Sequence, residues 1–488
     1  KFSKMETSRG TQNEDAPQRP KGKKGEQPMK KQVSAILAAS MAASMLVACG
    51  GSTSSAATST APAESTSTAS SEAAPAESTA DAGQAADITL WTYPIGKWGD
   101  SESVDALLAD FNAQYPDIHV TVDFFFYYKG YYEFYTAIEG GSAPDIVMEG
   151  PERLVANWGA KGLMVDLSDI LDDTDKSEIY DSVLAACVNK EGAVYEYPLC
   201  MTAPCMAINK TVFEEADAMQ YVDAENHTWT TEDFFKAMDA VYEHTGQTVG
   251  AVYCSGQGGD QGTRALVNNL YGGTFTDADH TKYTADSEEN VKAIQALADS
   301  KAINFDASIA GGDEINLFRQ GALNVAFCWN IAQQLNSDNN DAGLTNDGDE
   351  ILFMAFPSEK GTDTKLCGGI WGFGIFDNGD ADKIEASKLF IRYMAKSKEG
   401  TPNAVLSSTY FPVRDTVDGA DLTGLYSDVK TMSDYSVLMQ YLGDYYQVIP
   451  GWAEARTAWW NMLQQVGSGA DVKTAVDEFV ATANAAAE

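Results

Sequence analysis

From residue 88 onward, strand-like and helix-like segments alternate, and this order limits the chain to a narrow set of folds. Ile88-Thr89-Leu90-Trp91 is a short β-branched and aromatic run that reads as a strand. Ser103 to Gln114 follows with Val104, Leu107, Leu108 and Phe111 on one helical face. His119 to Phe125 reads as a second strand, and Ser142-Ala143-Pro144-Asp145 turns into a third at Ile146-Val147-Met148. Strand, helix and strand in succession predict an α/β sheet with parallel strands. Later helices are predicted from Thr230, with Asp233 as a capping partner, over Asp382–Ala395, and over Ala455–Val466 and Val472–Ala483. The body from Asp87 to Glu488, about 400 residues, exceeds what one hydrophobic core supports, so two lobes are expected.

The segment before this body has a different character. Lys30 and Lys31 precede an uncharged run from Val33 to Val47, which ends at Ala48-Cys49. That is the layout of a secretory signal, and it is shorter than the roughly 20 apolar residues that a spanning helix needs. Residues 29–48 are therefore expected to be a signal peptide. Residues 1–28, polar and without periodicity, are expected to be a disordered or spurious extension ahead of a start at Met29. Residues 49–86 read as a flexible linker, since Gly50–Ala86 is rich in Ala, Ser, Thr and Pro and holds no aromatic residue. Those 37 residues span about 35 Å as a random coil. The small residue followed by Cys49 resembles the lipobox of bacterial lipoproteins. That resemblance implies a lipid-bearing Cys49 and a protein held at the outer side of the cell membrane.

Removing residues 1–48 takes nine basic and four acidic side chains from totals of 33 and 71. The remaining 24 Lys+Arg against 67 Asp+Glu give a formal charge of −43. A chain this acidic repels phosphate backbones, which excludes nucleic acid as an expected partner. With Cys49 set aside, Cys187, Cys200, Cys205, Cys254, Cys328 and Cys367 remain. Outside the cytoplasm they are open to disulfide formation, and buried free thiols are an equal alternative. The absence of a C-x-x-C pair, together with the scatter of His119, His227, His244 and His280, argues against a zinc site. The Gly-rich loop at Gly256–Gly259 lacks the Lys-Ser/Thr ending of a phosphate cradle.

A set of motifs in order carries a family resemblance. They are Gly141-Ser142-Ala143-Pro144-Asp145-Ile146-Val147, Gly162-Leu163-Met164-Val165-Asp166-Leu167, and Tyr197-Pro198 with Ala207-Ile208-Asn209-Lys210-Thr211-Val212-Phe213. Phe318-Arg319-Gln320-Gly321-Ala322-Leu323-Asn324-Val325-Ala326, Gly368-Gly369-Ile370-Trp371-Gly372 and Tyr410-Phe411-Pro412-Val413-Arg414 complete the series. From Ile88 to the C-terminus the chain resembles the extracellular solute-binding proteins of ABC importers, in the carbohydrate-binding group that includes maltose-binding protein. Ile208 departs from the Tyr usual there, and Asn324-Val325 departs from the usual small-Ala-Met pattern.

The resemblance implies a two-lobed α/β fold with a hinge and a central ligand cleft. Crossings are expected near Met201–Pro204, Phe327–Asn330 and Gly368–Phe373. The expected division is 87–201 and 328–368 in the N-lobe, with 202–327 and 369–488 in the C-lobe. It also implies a monomeric binding protein without cofactor or metal, which captures a sugar and passes it to the transmembrane subunits of an ABC permease.

Sugars present apolar C–H faces and a rim of hydroxyls, so flat aromatic rings and fixed polar groups are the expected contacts. Trp371 is the first candidate. Trp91, Tyr93 and Trp98 lie at or beyond the C-terminal end of the first strand, where α/β sheets bind ligands. Glu149, Glu152 and Arg153 lie at the corresponding end of the third strand. Thr202 is placed at the first crossing, Tyr253 and Gln257 in the Gly-rich loop, Trp329 and Asn330 at the second crossing, and Trp452 and Arg456 on the helix after Pro450-Gly451. Phe124 to Phe126 is expected to complete a strand, while Tyr127, Tyr128, Tyr131, Tyr132 and Tyr135 either extend the aromatic platform for a longer glycan or pack on the linker side.

Two other functions compete with sugar capture. One is binding of another solute such as a polyamine or peptide, which aromatic walls in an acidic cleft would suit. The other is glycan hydrolysis, which needs a positioned carboxylate pair and for which no motif appears.

Overall fold

The computed structural model describes residues 85–488 apart from 126–135, 139, 256–259, 332–334 and 336–342. The expected extension, signal, Cys49 and nearly all of the linker lie outside the described residues, as do Gln257, Tyr127, Tyr128, Tyr131, Tyr132 and Tyr135.

The first lobe is built on a six-stranded sheet. It comprises β1 (Ala86–Thr92), β2 (Ile118–Phe124), β3 (Ile146–Glu149), β4 (Tyr197–Thr202), β10 (Gly369–Ile375) and β11 (Phe411–Pro412), in the order β11-β4-β10-β3-β1-β2. β1 is parallel to β2 and β3, as the alternation predicts, but β10 runs antiparallel to both β3 and β4, so the sheet is mixed. β2 forms the edge and alternates between covered and exposed residues, whereas the central β3 is buried throughout. Helix α1 (Ser101–Gln114) starts at Asp100, whose carboxylate accepts the Ser103 amide at 2.9 Å, and it buries Val104, Leu107, Leu108 and Phe111. A later helix, α6 (Ala381–Lys396), packs on β1, β4 and β10.

Arg414, from the Pro-Val-Arg motif, is buried beneath this sheet. Its guanidinium donates to Asp175 at 2.9 Å, to the Tyr197 hydroxyl at 3.1 Å and to the Ala395 carbonyl at 3.1 Å. Tyr197 donates to the same Asp175 oxygen at 2.7 Å, and Lys396 reaches the other at 2.6 Å. The motif is thus a structural tie between distant segments of the first lobe.

The second lobe holds β5 (Cys205–Asn209), β8 (Val325–Trp329) and β9 (Ile351–Met354) in the order β8-β5-β9, and the parallel pair β6 (Gly250–Ser255) and β7 (Ile303–Ala310). Helices α2 (Thr231–Thr245), α3 (Asp260–Tyr271), α4 (Glu288–Asp299), α5 (Gly311–Arg319), α7 (Trp452–Gly467) and α8 (Val472–Ala487) pack around these strands and one another. Thr230 caps α2 as its spacing predicts, accepting the Asp233 amide at 3.1 Å.

The chain leaves the first sheet at Thr202 and enters the second at Cys205. It does not cross back near Phe327–Asn330. β8 and β9 both pair antiparallel with β5, so 328–368 continues the second lobe. β10, α6 and β11 then build the first lobe, and α7 and α8 return to the second. The ladder therefore reverses the lobe assignment expected for 328–368 and for the first part of 369–488. The return crossing runs through Cys367 and Gly368, beside a bridge between Leu366 and Leu442. A Cβ on Gly368 would lie 2.7 Å from a Leu442 methyl and 3.3 Å from the Thr202 carbonyl, so Leu442 packs closely on the crossing. Cys187, Cys200 and Cys205 are buried free thiols, and Cys328 and Cys367 are buried as well.

Candidate ligand-binding site

Strand direction gathers the charged and aromatic candidates of the first lobe at one sheet end. β1 and β3 are parallel, so Tyr93, just past β1, and Glu149, the last residue of β3, emerge together. Antiparallel β10 places Gly372 opposite Glu149, which brings Trp371 to the same end. Gly150 and Pro151 then start a short helix that carries Glu152 and Arg153.

These side chains form one cluster. The Tyr93 and Trp371 rings meet edge to face with centroids 6.4 Å apart. Arg153 lies 5.8 Å from the Tyr93 ring centre and donates to the Tyr93 hydroxyl at 3.3 Å. It also pairs with Glu149, whose side chain is 2% exposed. Trp371 is half-buried while Tyr93 is 2% exposed, so Trp371 is the ring with free surface.

Glu152 accepts the Tyr445 hydroxyl at 2.6 Å. Burial, then the Glu152 carboxylate, pushes the Tyr445 phenol well above its ordinary range. Glu196 lies behind this cluster, fully buried, with no hydrogen-bond partner on either carboxyl oxygen. Burial and then Glu152 raise its pKa well above the usual carboxylate range. A Cβ on Gly372 would meet the Tyr197 carbonyl at 2.3 Å and Glu196 Oε1 at 2.8 Å, so glycine makes room for this acid at the bulge beside Trp371.

On the second lobe, Trp452 opens α7 and is 6% exposed. Arg264 of α3, fully buried, lies 4.7 Å from the Trp452 ring centre and 5.6 Å from that of Phe275. Arg456 is half-buried one turn after Trp452.

Other candidates stand elsewhere. Trp98 is fully buried, donates to the Ala404 carbonyl at 3.0 Å and packs edge-on against Phe373, so it belongs to the first-lobe core. Trp329 is equally buried, stacked on Phe353 and edge-on to Phe318, and belongs to the second-lobe core. Trp91 shares a strand face with Tyr93 but donates to Asp123 at 3.0 Å and packs on Phe125, towards the β2 edge. Thr202 is buried at the crossing, and Asn330 bonds the buried Tyr410 hydroxyl, joining second-lobe and first-lobe segments. Tyr253 lies in β6, its backbone opposite Asp306.

The sequence reading missed Arg264, Tyr445, Tyr446, Gln447 and Glu196. The Tyr445-Tyr446 doublet just before Pro450-Gly451 is a signal that would have drawn attention to this segment. Among the described residues no cluster of His, Cys, Asp and Glu is arranged to hold a metal, and no helix is long and apolar enough to cross a membrane.

Comparison with known proteins agrees with this architecture. Residues 97–401 match the model of the bacterial extracellular solute-binding protein family, and the chain belongs to that family. Comparison with curated sequences gives no match. Among solved structures, an ABC substrate-binding protein from Listeria monocytogenes, in complex with cycloalternan, superposes with a TM-score of 0.63 at 19% identity, covering 82% of this chain and 98% of that one. A solute-binding protein from Agrobacterium radiobacter K84, in complex with ribitol, gives 0.64 at 20% identity, covering 82% and 99%. A maltose-bound protein from T. maritima gives 0.61 at 18% identity, covering 81% and 98%. At such identities the likeness establishes the fold.

Proposed function

We propose that this protein captures a mono- or oligosaccharide between its lobes and delivers it to the transmembrane subunits of an ABC importer. The observation that carries the reading is the cluster at the first-lobe sheet end. A half-exposed Trp371 supported by Tyr93 offers a flat face for sugar C–H groups. Glu149, Arg153 and Glu152 beside it supply acceptors and donors for hydroxyls through charge-assisted bonds. From the second lobe, the proposed contacts are half-buried Arg456 and the edge of Trp452, whose ring packs against Arg264, Phe275 and Tyr446. Similar folds solved with cycloalternan, ribitol and maltose support the same ligand class. Closure of the lobes is the hinge motion by which such a protein engages its ligand, and the ligand drives it only by binding the closed state better. The protein acts as a monomer, without cofactor and without catalysis.

Cys49 is the proposed lipid attachment site, and 49–86 the tether that holds the binding body off the membrane. A thermal-shift screen against polyols, monosaccharides and oligosaccharides tests the ligand class, since a ligand bound only by the folded state raises the melting temperature by mass action. Shifts with polyamines or peptides alone would overturn the sugar reading. Cell fractionation of Cys49→Ser tests the tether. The variant is expected in the soluble fraction, and its retention with the membrane would contradict lipidation at that residue.

A further inference from the structure

One buried cation reaches two consecutive residues of the return crossing through its neighbours. The Arg264 Nε donates to the Tyr446 hydroxyl at 3.3 Å, and an Nη donates to Gln447 Oε1 at 3.3 Å. Tyr446 also bonds Cys367. Gln447, itself 1% exposed, donates its amide to the Gly368 carbonyl at 3.2 Å. Two short relays thus leave a single guanidinium and end on consecutive residues of the crossing strand. The preceding residue, Tyr445, points the other way and bonds Glu152 at the first-lobe cluster. The same guanidinium lies over the Trp452 ring, 4.7 Å from its centre.

We infer that Arg264 is a positioning residue for the ligand site, acting through Tyr446 and Gln447 on the Cys367-Gly368 crossing and through Trp452 on the second-lobe wall. The inference rests on the proposed binding function for its effect on affinity, while its effect on the crossing is independent of any ligand. The planar fork of the guanidinium is what allows two acceptors and a ring face to be held at once, and an ammonium has no such geometry. A conformational change at the crossing then alters the wall and the first-lobe cluster together, because residues 445–447 are bound to both.

The test separates positioning from folding. Gln447→Glu keeps an acceptor for Arg264 but removes the donor to the Gly368 carbonyl. Arg264→Met removes both relays at similar side-chain length. Amide hydrogen exchange at Leu366 and Gly443, which donate to Tyr441 and Leu366 carbonyls across the crossing, is followed without ligand alongside the melting temperature. Faster exchange at these two amides is expected in both variants, with that of Gln447→Glu appearing at an unchanged melting temperature. Affinity for maltooligosaccharides, or whichever screened sugar the wild type binds, is expected to weaken by roughly 2- to 30-fold. Unchanged exchange at both amides in Gln447→Glu would overturn the inference. If the wild type binds no sugar, the functional proposal fails, and the exchange result still decides the role of Arg264.

Discussion

Replacing Arg414 by Met removes the cation that closes the first-lobe network while keeping an apolar stem of similar length. Asp175 is 1% exposed and then keeps Lys396, Tyr197 and the Asp172 amide as partners. Breaking a buried ion pair by removing one partner costs about 3–5 kcal/mol. Lys396 still holds the second Asp175 oxygen, so the loss is expected near the lower end, about 3 kcal/mol. For a lobe of this size that corresponds to a fall in melting temperature of roughly 6–12 °C. The pH dependence follows from the carboxylates. Burial raises the Asp175 pKa, but Lys396, Tyr197 and Arg414 outweigh it and hold the group below its ordinary value. Lys396 and the Asp175 amide lower Asp172 to about 2. Depressed carboxylates stabilise the folded state above their unfolded pKa of about 3.9, and this contribution disappears as pH falls through the folded values. The gap between wild type and Arg414→Met is therefore largest near neutrality and narrows below about pH 4. Urea unfolding followed by circular dichroism at pH 7 and pH 3 measures it. A loss under about 1 kcal/mol at pH 7, or an equal loss at both pH values, would refute the ion-pair account.

Other substitutions discriminate site from core. Trp371→Ala is expected to weaken sugar binding by about 1–3 kcal/mol at nearly constant melting temperature, measured by calorimetry and thermal melts. Trp98→Ala, by contrast, opens a cavity in the first-lobe core and should cost about 3–5 kcal/mol of stability. Glu314, buried and accepting the Phe327 amide at 2.5 Å, has its pKa pushed up to about 8 by burial, against the lowering effect of the Phe327 and Cys328 amides. A raised carboxyl pKa means that the folded state binds the extra proton, so stability falls as pH rises from about 4.5 towards 8. Glu314→Gln should flatten that decline in denaturation curves taken between pH 5 and 9.

The alternation of strands and helices was legible because periodicity reports local structure, and the predicted helices appear with small extensions at their ends. The family motifs were legible because some mark backbone constraints, such as the close approach to the Tyr197 carbonyl and the bulge at Gly372. The second-lobe membership of β9 was not legible, since antiparallel pairing to β5 is a long-range fact that no local pattern announces. Trp98 and Trp329 carried the same residue type as Trp371 and similar loop-adjacent positions. Their burial depends on which neighbours fold over them, namely Ala404 and Phe373 for one and Phe318 and Phe353 for the other. Arg264 was hidden for a further reason. An arginine in a helix reads as a surface residue, and only the later segment at Tyr446-Gln447 gives it buried partners.

Isothermal titration calorimetry of the purified body, residues 87–488, against monosaccharides, maltooligosaccharides, polyamines and short peptides tests the central claim most directly. Saturable one-site binding of a sugar, lost or weakened in Trp371→Ala and without release of cleavage products, is the predicted result. Binding confined to polyamines or peptides, or hydrolysis of the added glycan, would contradict it.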